Sequence, residues 1–105
     1  MGERTADVQN AELGDILLQL AEIIRSRRFA DKEQSYTARL LTERGDLLYK
    51  KLMEEATELV LALKDGDHDH IRYEAADLIY HMFVAFERNG ITVEELAGEL
   101  KARMK

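Results

Sequence analysis

Apolar residues recur at helical spacing along most of the chain, and no stretch of useful length alternates as a β-strand does. Over residues 11–29 they follow a period of about 3.6 residues, at Leu13, Ile16, Leu17, Leu20, Ile23 and Ile24. Asn10 stands before this stretch as a candidate N-cap. The pattern predicts a single all-α domain over residues 11–105, preceded by a flexible lead-in over residues 1–10.

Turn and capping residues predict four further helices. Their limits are residues 35–45, residues 46–64, a stretch from Asp67 or Asp69 to Asn89-Gly90, and a last helix from residue 92. Ser35 is the predicted N-cap of the short helix, and Gly45 is its predicted stop. Thr92 and Glu95 have the spacing of a capping box, which marks the beginning of the last helix.

Two pairs of carboxylates lie within the third and fourth predicted helices: Glu55 with Glu58, and Glu74 with Asp77. The spacing within each pair places both charges on one side of a helix, where they repel each other. The neighbouring residues are largely apolar, and buried carboxylates are rare unless they are paired or bound to a metal. One such pair would indicate a salt-bridged helix surface, whereas two pairs on apolar helices favour a metal site.

The two acidic helices are joined by a tight turn at residues 65–67, which predicts an antiparallel helical hairpin. Glu58 and Glu74 lie eight residues on either side of residue 66, and Glu55 and Asp77 lie eleven. The hairpin therefore places the two pairs of carboxylates at the same level along the helix axes. Oxygen ligands of this kind suit a hard divalent cation, so we predict Mg²⁺-dependent phosphate chemistry.

The individual acids have different predicted positions. Glu55 shares the apolar side of its helix, whereas Glu58 lies nearer the edge of that side and is either a ligand or the base that takes a proton from water. Glu55 and Glu58 are the candidate catalytic residues. Glu54 points about 100° away from Glu55, so it is either a further ligand or a residue that faces solvent.

Cations and hydroxyls near the acids are candidates for binding phosphate. Lys51 lies one turn before Glu55 with Lys50 beside it, and Arg39 follows a segment that contains Ser35 and Thr37. Hydroxyls and a helix N-terminus suit an anion. The alternatives, which the sequence leaves open, are solvated charges for the three cations and a simple helix cap for the hydroxyls.

Three other polar features have two readings each. Residues 25–28 carry three arginines, which either complement the end of the first helix or bind phosphate. His81 lies one turn after Asp77, where it either bonds that acid or is a satisfied core histidine. Residues 68–70 resemble a metal-binding triplet, but a capping aspartate at the beginning of a helix explains them more simply.

Composition narrows the class of function. The formal net charge is −6 without a basic stripe, which argues against a nucleic-acid-binding protein. The absence of cysteine excludes disulfides, thiolate zinc sites and a cysteine nucleophile. No apolar run approaches the length of a membrane span, and residues 1–10 lack the apolar core of a signal peptide. We therefore expect a cytoplasmic protein that contacts neither nucleic acid nor membrane.

Four segments together resemble the phosphoribosyl-ATP pyrophosphatase family. They are residues 35–41 (SYTARLL), 50–58 (KKLMEEATE), 64–67 (KDGD) and 73–81 (YEAADLIYH). The likeness extends over roughly residues 13–103, and the acids alone would indicate only the broader all-α nucleoside triphosphate pyrophosphohydrolases, which include the MazG-type enzymes.

The resemblance implies a hydrolase of the second step of histidine biosynthesis, which converts phosphoribosyl-ATP to phosphoribosyl-AMP and pyrophosphate. It also implies Mg²⁺, a cytoplasmic location, and a homodimer in which helical hairpins form a four-helix-bundle type of assembly. The family's metal-binding acids match Glu55, Glu58, Glu74 and Asp77, and Glu54 matches the acid that often precedes them.

Three alternatives compete with this interpretation. A MazG-type house-cleaning enzyme would share the metal site and act on other nucleoside triphosphates. A carboxylate-bridged di-iron protein would need Glu-x-x-His pairs, whereas this chain has Glu-x-x-Glu and Glu-x-x-Asp. A non-enzymatic dimerisation module would explain the apolar helices but would leave the buried acids as an uncompensated loss of stability.

Overall fold

The protein is an all-α bundle in the computed structural model, which describes residues 8–104. Within that range there are five α-helices and no strands. They are α1 (Leu13–Ser26), α2 (Tyr36–Thr42), α3 (Gly45–Asp65), α4 (His68–Arg88) and α5 (Val93–Ala102). The predicted fold class is therefore confirmed. The predicted lead-in over residues 1–10 falls mostly outside the described residues, so the division of the chain at residue 10 stays a prediction.

The first helix begins later than its apolar pattern predicts. The chain enters through a 3₁₀ turn over Asn10–Glu12, and the N-cap of α1 is Glu12 without a side-chain capping bond. The prediction that Asn10 is the cap is therefore wrong. At the other end, a second 3₁₀ turn over Arg27–Phe29 continues α1 to the predicted limit.

Two of the predicted caps are present. The Ser35 hydroxyl accepts a hydrogen bond from the backbone N–H of Ala38 at 3.1 Å, which satisfies one of the free donors at the beginning of α2. Thr92 and Glu95 form the complete capping box at the beginning of α5.

The prediction that Gly45 stops the short helix is wrong, because Gly45 is the first residue of α3. The helix α2 ends at Thr42, with Glu43 as its C-cap in extended conformation. Gly45 does not have the positive φ of a helix-terminating glycine. Its small size serves packing instead, because a Cβ at Gly45 would lie 2.8 Å from Cε2 of Tyr49.

The hairpin of α3 and α4 is the most extensive helix pair of the described chain, as predicted. Gly66 ends α3 with φ of 74°, and its N–H donates to the Ala62 carbonyl at 3.0 Å. Asp67 then caps α4 by accepting from the His70 N–H at 3.3 Å. This connection of two residues, Gly66 and Asp67, fixes the register of the two acidic helices.

The core lies where the first four helices meet. Its buried side chains are Ile24, Leu40, Leu41, Leu48, Phe83, Val84 and Ala85. Of the apolar pattern predicted on α1, only Ile24 is buried, whereas Leu13, Ile16 and Ile23 remain exposed. No helix of the described residues is long and apolar enough to span a membrane.

Two of the arginines at the end of α1 bind a carboxylate of α4. Arg25 Nε and Arg28 Nη2 lie 3.3 and 2.8 Å from the Glu87 carboxylate, and Arg28 also donates to the Glu87 carbonyl at 3.0 Å. Burial raises the pKa of Glu87, but the bonds from Arg28 and Arg25 outweigh it and hold that pKa below the ordinary 4.5. These two arginines fix α1 against α4.

Candidate metal and phosphate site

Two carboxylates lie inside the hairpin, one on each helix. Glu55 of α3 and Glu74 of α4 are each only 5% exposed. Both face inward because residues two turns away on the same side of each helix, Leu48 and Ala62 on α3 and His81 on α4, pack in the interior. The Oε2 atom of each acid is buried and has no hydrogen-bond partner in the described chain. Buried polar atoms without a partner are rare, and a bound cation is one group that would satisfy them.

A third carboxylate completes a cluster with these two. Oxygen atoms of Glu55, Glu58 and Glu74 all lie within 4.8 Å of one another. Glu58 is exposed at the mouth of the cluster, as its place near the edge of the apolar side predicts. Asp77 lies outside this group of three, although its charge acts on both Glu55 and Glu74.

Burial and mutual repulsion change the acidity of the two buried acids. Burial raises the pKa of Glu55 above 4.5, and the charges of Glu58 and Asp77 raise it further. Burial also raises the pKa of Glu74, and the adjacent Glu58 adds to that increase. In the absence of a cation, the cluster therefore holds protons more tightly than separate carboxylates do. A divalent cation would relieve the repulsion that produces this effect.

One lysine of α3, Lys51, contacts this cluster, and a second, Lys50, contacts only the neighbouring Glu54. Lys51 Nζ lies 3.5 Å from Glu54 Oε2 and 3.7 Å from Glu55 Oε1, and Lys50 Nζ lies 3.8 Å from Glu54 Oε1. Burial lowers the pKa of Lys51, but Tyr36, Glu54 and Glu55 together outweigh burial and raise it. Lys51 therefore stays charged beside the buried acids, and Glu54 pairs with both lysines.

His70 also contacts the cluster, which the sequence analysis missed. Its Nε2 atom lies 3.4 Å from Glu74 Oε1, one turn along α4. The spacing of four residues between His70 and Glu74 was the available signal. Asp69, the middle residue of the triplet, pairs instead with Arg72, and the cap of α4 is Asp67.

His81 is a satisfied core histidine rather than a partner of the Asp77 carboxylate. It is buried, and its Nδ1 lies 2.8 Å from the backbone carbonyl oxygen of Asp77. Its Nε2 lies 3.1 Å from the hydroxyl of Tyr36, a residue of α2 that the sequence analysis did not single out. This bond connects the short helix to the acidic one.

The other candidate phosphate ligands lie on α2 and have structural partners. The Ser35 hydroxyl caps the helix, and the Thr37 hydroxyl is hydrogen-bonded to the hydroxyl of Tyr80. Arg39 is exposed, and its guanidinium lies 5.4 Å from the centre of the Tyr36 ring. Of the three predicted ligands on this segment, Arg39 keeps its charged group open to solvent.

A family model for phosphoribosyl-ATP pyrophosphohydrolase matches residues 17–104, a range that includes every acid of the cluster. The chain belongs to this family. Proteins named phosphoribosyl-ATP pyrophosphatase resemble it over most of their length. The relative from Dechloromonas aromatica is 44% identical over 85% of this chain and 82% of its own. The relative from Methylibium petroleiphilum is 48% identical over 85% of this chain and 74% of the relative. The relative from Halobacterium salinarum is 43% identical over 87% of this chain and 99% of the relative.

The donor set of the cluster fits a hard divalent cation. Three carboxylates supply only oxygen atoms, and two of those oxygens are buried without a donor in the described chain. Hard cations such as Mg²⁺ prefer carboxylate oxygens and retain several waters beside one or two protein carboxylates. In a member of a pyrophosphohydrolase family, this cluster is a candidate metal site.

Proposed function

We propose that this protein hydrolyses phosphoribosyl-ATP between its α and β phosphates, releasing phosphoribosyl-AMP and pyrophosphate. This reaction is the second step of histidine biosynthesis, and we place it in the cytoplasm. The observation that carries the proposal is the convergence of Glu55, Glu58 and Glu74, two of them with unpartnered buried oxygens. Membership of the phosphoribosyl-ATP pyrophosphohydrolase family supports the choice of substrate.

The metal ligands of the proposed site are Glu55, Glu58 and Glu74. We add Asp77, because its charge already acts on the two buried acids, and Glu54 as a peripheral ligand. When Mg²⁺ is bound, it supplies positive charge to the phosphoryl oxygens and acidifies a bound water. The protein contributes a fixed, partly dry set of oxygens, because α3 and α4 hold both buried carboxylates against the core.

Glu58 is the proposed general base. It is the exposed member of the cluster, so water reaches its carboxylate while Glu55 and Glu74 are enclosed. A carboxylate within hydrogen-bond reach of a water can take its proton as the oxygen attacks phosphorus. Glu55 is the alternative base, and its burial makes it the better placed of the two for holding the cation.

The proposed phosphate ligands are Lys50, Lys51 and Arg39. Lys51 retains its positive charge directly beside Glu55, where it can contact a phosphate oxygen of a substrate bound at the cluster. Arg39 is exposed on the adjoining helix. Cations in these places bind the phosphates of the substrate, and Lys51, which lies beside Glu55, also offsets the charge of the departing pyrophosphate. For Ser35 and Thr37 the internal hydrogen bonds described above favour a structural role.

We also propose that the protein is a homodimer. Large apolar side chains are exposed on the outer faces of α1 and α3, with Leu13 at 62% and Met53 at 73%. Apolar surface of this extent is typical of an interface between subunits. Sedimentation equilibrium is expected to give twice the monomer mass. A mass equal to that of one chain would contradict this proposal.

The experiment that tests the proposed function measures pyrophosphate release from phosphoribosyl-ATP with and without Mg²⁺. A panel of deoxynucleoside triphosphates is assayed in parallel. Metal-dependent turnover of phosphoribosyl-ATP alone is the expected result. Turnover of the deoxynucleotides instead would keep the metal chemistry but move the protein to the MazG-type house-cleaning enzymes.

A further inference from the structure

The short helix α2 is attached to α4 by two hydrogen bonds between side chains. The Tyr36 hydroxyl bonds His81 Nε2 at 3.1 Å, and the Thr37 hydroxyl bonds the hydroxyl of Tyr80. The four residues are consecutive pairs on their helices, so the two bonds lie next to each other. Together they fix the beginning of α2 close to the part of α4 that carries Asp77.

The orientation of the His81 ring follows from its partners. The carbonyl of Asp77 can only accept a hydrogen bond, so Nδ1 carries the hydrogen and donates to it at 2.8 Å. In the neutral ring Nε2 then accepts, and the Tyr36 hydroxyl is the donor. The Tyr80 ring packs edge-on against His81, with centroids 4.9 Å apart. The buried imidazole is therefore a fixed acceptor for Tyr36.

Tyr36 in turn interacts with two of the candidate phosphate ligands. The Arg39 guanidinium stands over its ring at 5.4 Å from the centroid, which is a cation–π distance. The charges of Lys51 and Glu55 of α3 also act on the pKa of its hydroxyl, in opposite directions. One aromatic side chain therefore contacts a cation of α2 and interacts electrostatically with α3.

We infer that Tyr36 is a positioning residue for phosphate binding. Its hydroxyl is held by His81 and its ring supports Arg39, so the guanidinium stands at a defined place on α2. This inference rests on the proposed function in that the bound group is a phosphate of the substrate or of pyrophosphate. It gives the Ser-Tyr-Thr segment an indirect role, in which Ser35 and Thr37 hold the helix and Tyr36 orients the cation.

The first test compares KM and kcat of the wild-type protein with those of Tyr36→Phe and Tyr36→Leu. Loss of the hydroxyl in Tyr36→Phe is expected to raise KM for phosphoribosyl-ATP about fivefold, the effect of one hydrogen bond. Tyr36→Leu also removes the ring, which is expected to raise KM about a further threefold. The change in kcat is expected to be smaller, because a cation that binds phosphate equally in ground and transition states affects KM.

Tyr49→Phe is the matched control. Tyr49 is similarly exposed on α3, and its hydroxyl accepts a hydrogen bond from Asn89 Nδ2 at 3.3 Å, near the far end of α4. This variant loses a comparable bond and is expected to keep the wild-type KM. If Tyr49→Phe raised KM as much as Tyr36→Phe does, the effect would be a general loss of stability and the inference would be wrong.

A double-mutant cycle separates positioning from packing. Tyr36→Leu, Arg39→Gln and the double variant are compared with the wild-type protein. Calorimetry measures how tightly each binds inorganic pyrophosphate in the presence of Mg²⁺. If Tyr36 acts through Arg39, the double variant binds pyrophosphate no more weakly than the worse single variant. Additive losses, or a wild-type dissociation constant in Tyr36→Leu, would overturn the inference.

The two measurements also distinguish this inference from the proposed function. The wild-type protein could bind pyrophosphate, with non-additive losses in the double-mutant cycle, and yet not turn over phosphoribosyl-ATP. That outcome would reject the proposed substrate and retain the role of Tyr36. Turnover by the wild type with unchanged KM in both Tyr36 variants would reject only the positioning role. A wild-type protein that fails to bind pyrophosphate with Mg²⁺ would contradict both.

Discussion

Glu55 and Glu74 face each other across the α3–α4 hairpin, and each has a buried oxygen without a hydrogen-bond donor in the described chain. A carboxylate in this state weakens the folded protein, because burial and the neighbouring charges disfavour its ionised form. The same arrangement favours any cation that can replace the missing donors. Stability without metal and affinity for metal should therefore change in opposite directions when these acids are altered.

Glu74→Gln is expected to stabilise the metal-free protein near neutral pH. The gain is on the order of 1 kcal/mol, or about 5 °C in Tm for a chain of this size. Added Mg²⁺ is expected to raise the Tm of the wild type, by about 2.7 kcal/mol at one hundred times its dissociation constant, and to leave the variant unchanged. Thermal unfolding with and without Mg²⁺ measures both effects. Glu94→Gln, an exposed acid of α5, is the control. A variant that melts below the wild type without metal would contradict the repulsion argument.

The acid cluster and Glu87 are expected to make the unfolding free energy depend on pH in opposite directions. The raised pKa values of Glu55 and Glu74 mean that the folded state binds protons more tightly than the unfolded chain does. The unfolding free energy of the metal-free protein therefore falls as pH rises above 4.5 through those raised values. Glu74→Gln should flatten this part of the curve in urea unfolding at a series of pH values. An unchanged slope of unfolding free energy against pH in this variant would contradict the raised pKa of Glu74.

Glu87→Gln is expected to destabilise the protein by about 1 kcal/mol near neutral pH. The arginines depress the pKa of Glu87, so its contribution is present above the ordinary 4.5 and is lost as pH falls through the folded value. The difference from wild type should vanish in strong acid. Glu99→Gln breaks an exposed pair with Arg103 and should have little effect, because the side chain of Glu99 is 75% exposed whereas that of Glu87 is 18% exposed. Equal losses in both variants would contradict the pairing argument.

Asp77→Asn tests the proposed fourth ligand. Because Asp77 lies outside the group of three, its loss is expected to lower Mg²⁺ affinity about tenfold, whereas Glu55→Gln should abolish turnover. A titration with Mg²⁺, in which pyrophosphate release is the readout, measures both the metal affinity and the turnover. Full turnover and unchanged metal affinity in Asp77→Asn would remove this residue from the site.

Gly66→Ala is expected to destabilise the hairpin by about 1 kcal/mol. Gly66 has φ of 74°, a conformation that a residue with a Cβ adopts only with strain. Gly98→Ala is the matched control, because neither glycine has an atom within 4 Å of an added Cβ and Gly98 lies within α5 without a positive φ. That change should stabilise the protein slightly by favouring the helix. Urea unfolding of both variants provides the comparison, and similar effects would show that φ does not decide the outcome.

Much of the fold is readable from the sequence because it depends on local spacing. The helical period, the capping box of Thr92 and the turn at Gly66 are all decided within a few residues. The hairpin follows from the shortness of that turn, and the burial of Glu55 and Glu74 follows from their apolar neighbours. Local spacing does not explain Gly45, because a glycine that packs against Tyr49 looks the same in sequence as one that ends a helix.

What the sequence did not reveal depends on contacts between distant segments. The pairs of Arg28 with Glu87 and of Tyr36 with His81 join residues that lie 59 and 45 positions apart. No periodicity encodes such pairs, since they arise only when α1 and α2 pack on α4. The exposure of Ile23 has the same origin, because an apolar stripe predicts burial without saying which surface covers it.

The turn at Gly66 has a consequence for how this protein can vary. Surface loops usually accept insertions, since their length matters little to the packing on either side. Here a residue added to either arm between Gly66 and the acids would shift the carboxylates beyond it by about 1.5 Å and about 100° around the helix. Exposed polar side chains on these arms, such as Lys64, Asp65 and His68, can change in kind. The number of residues in each arm is fixed, however, so a deletion of one residue there should be more damaging than several substitutions at such exposed polar positions.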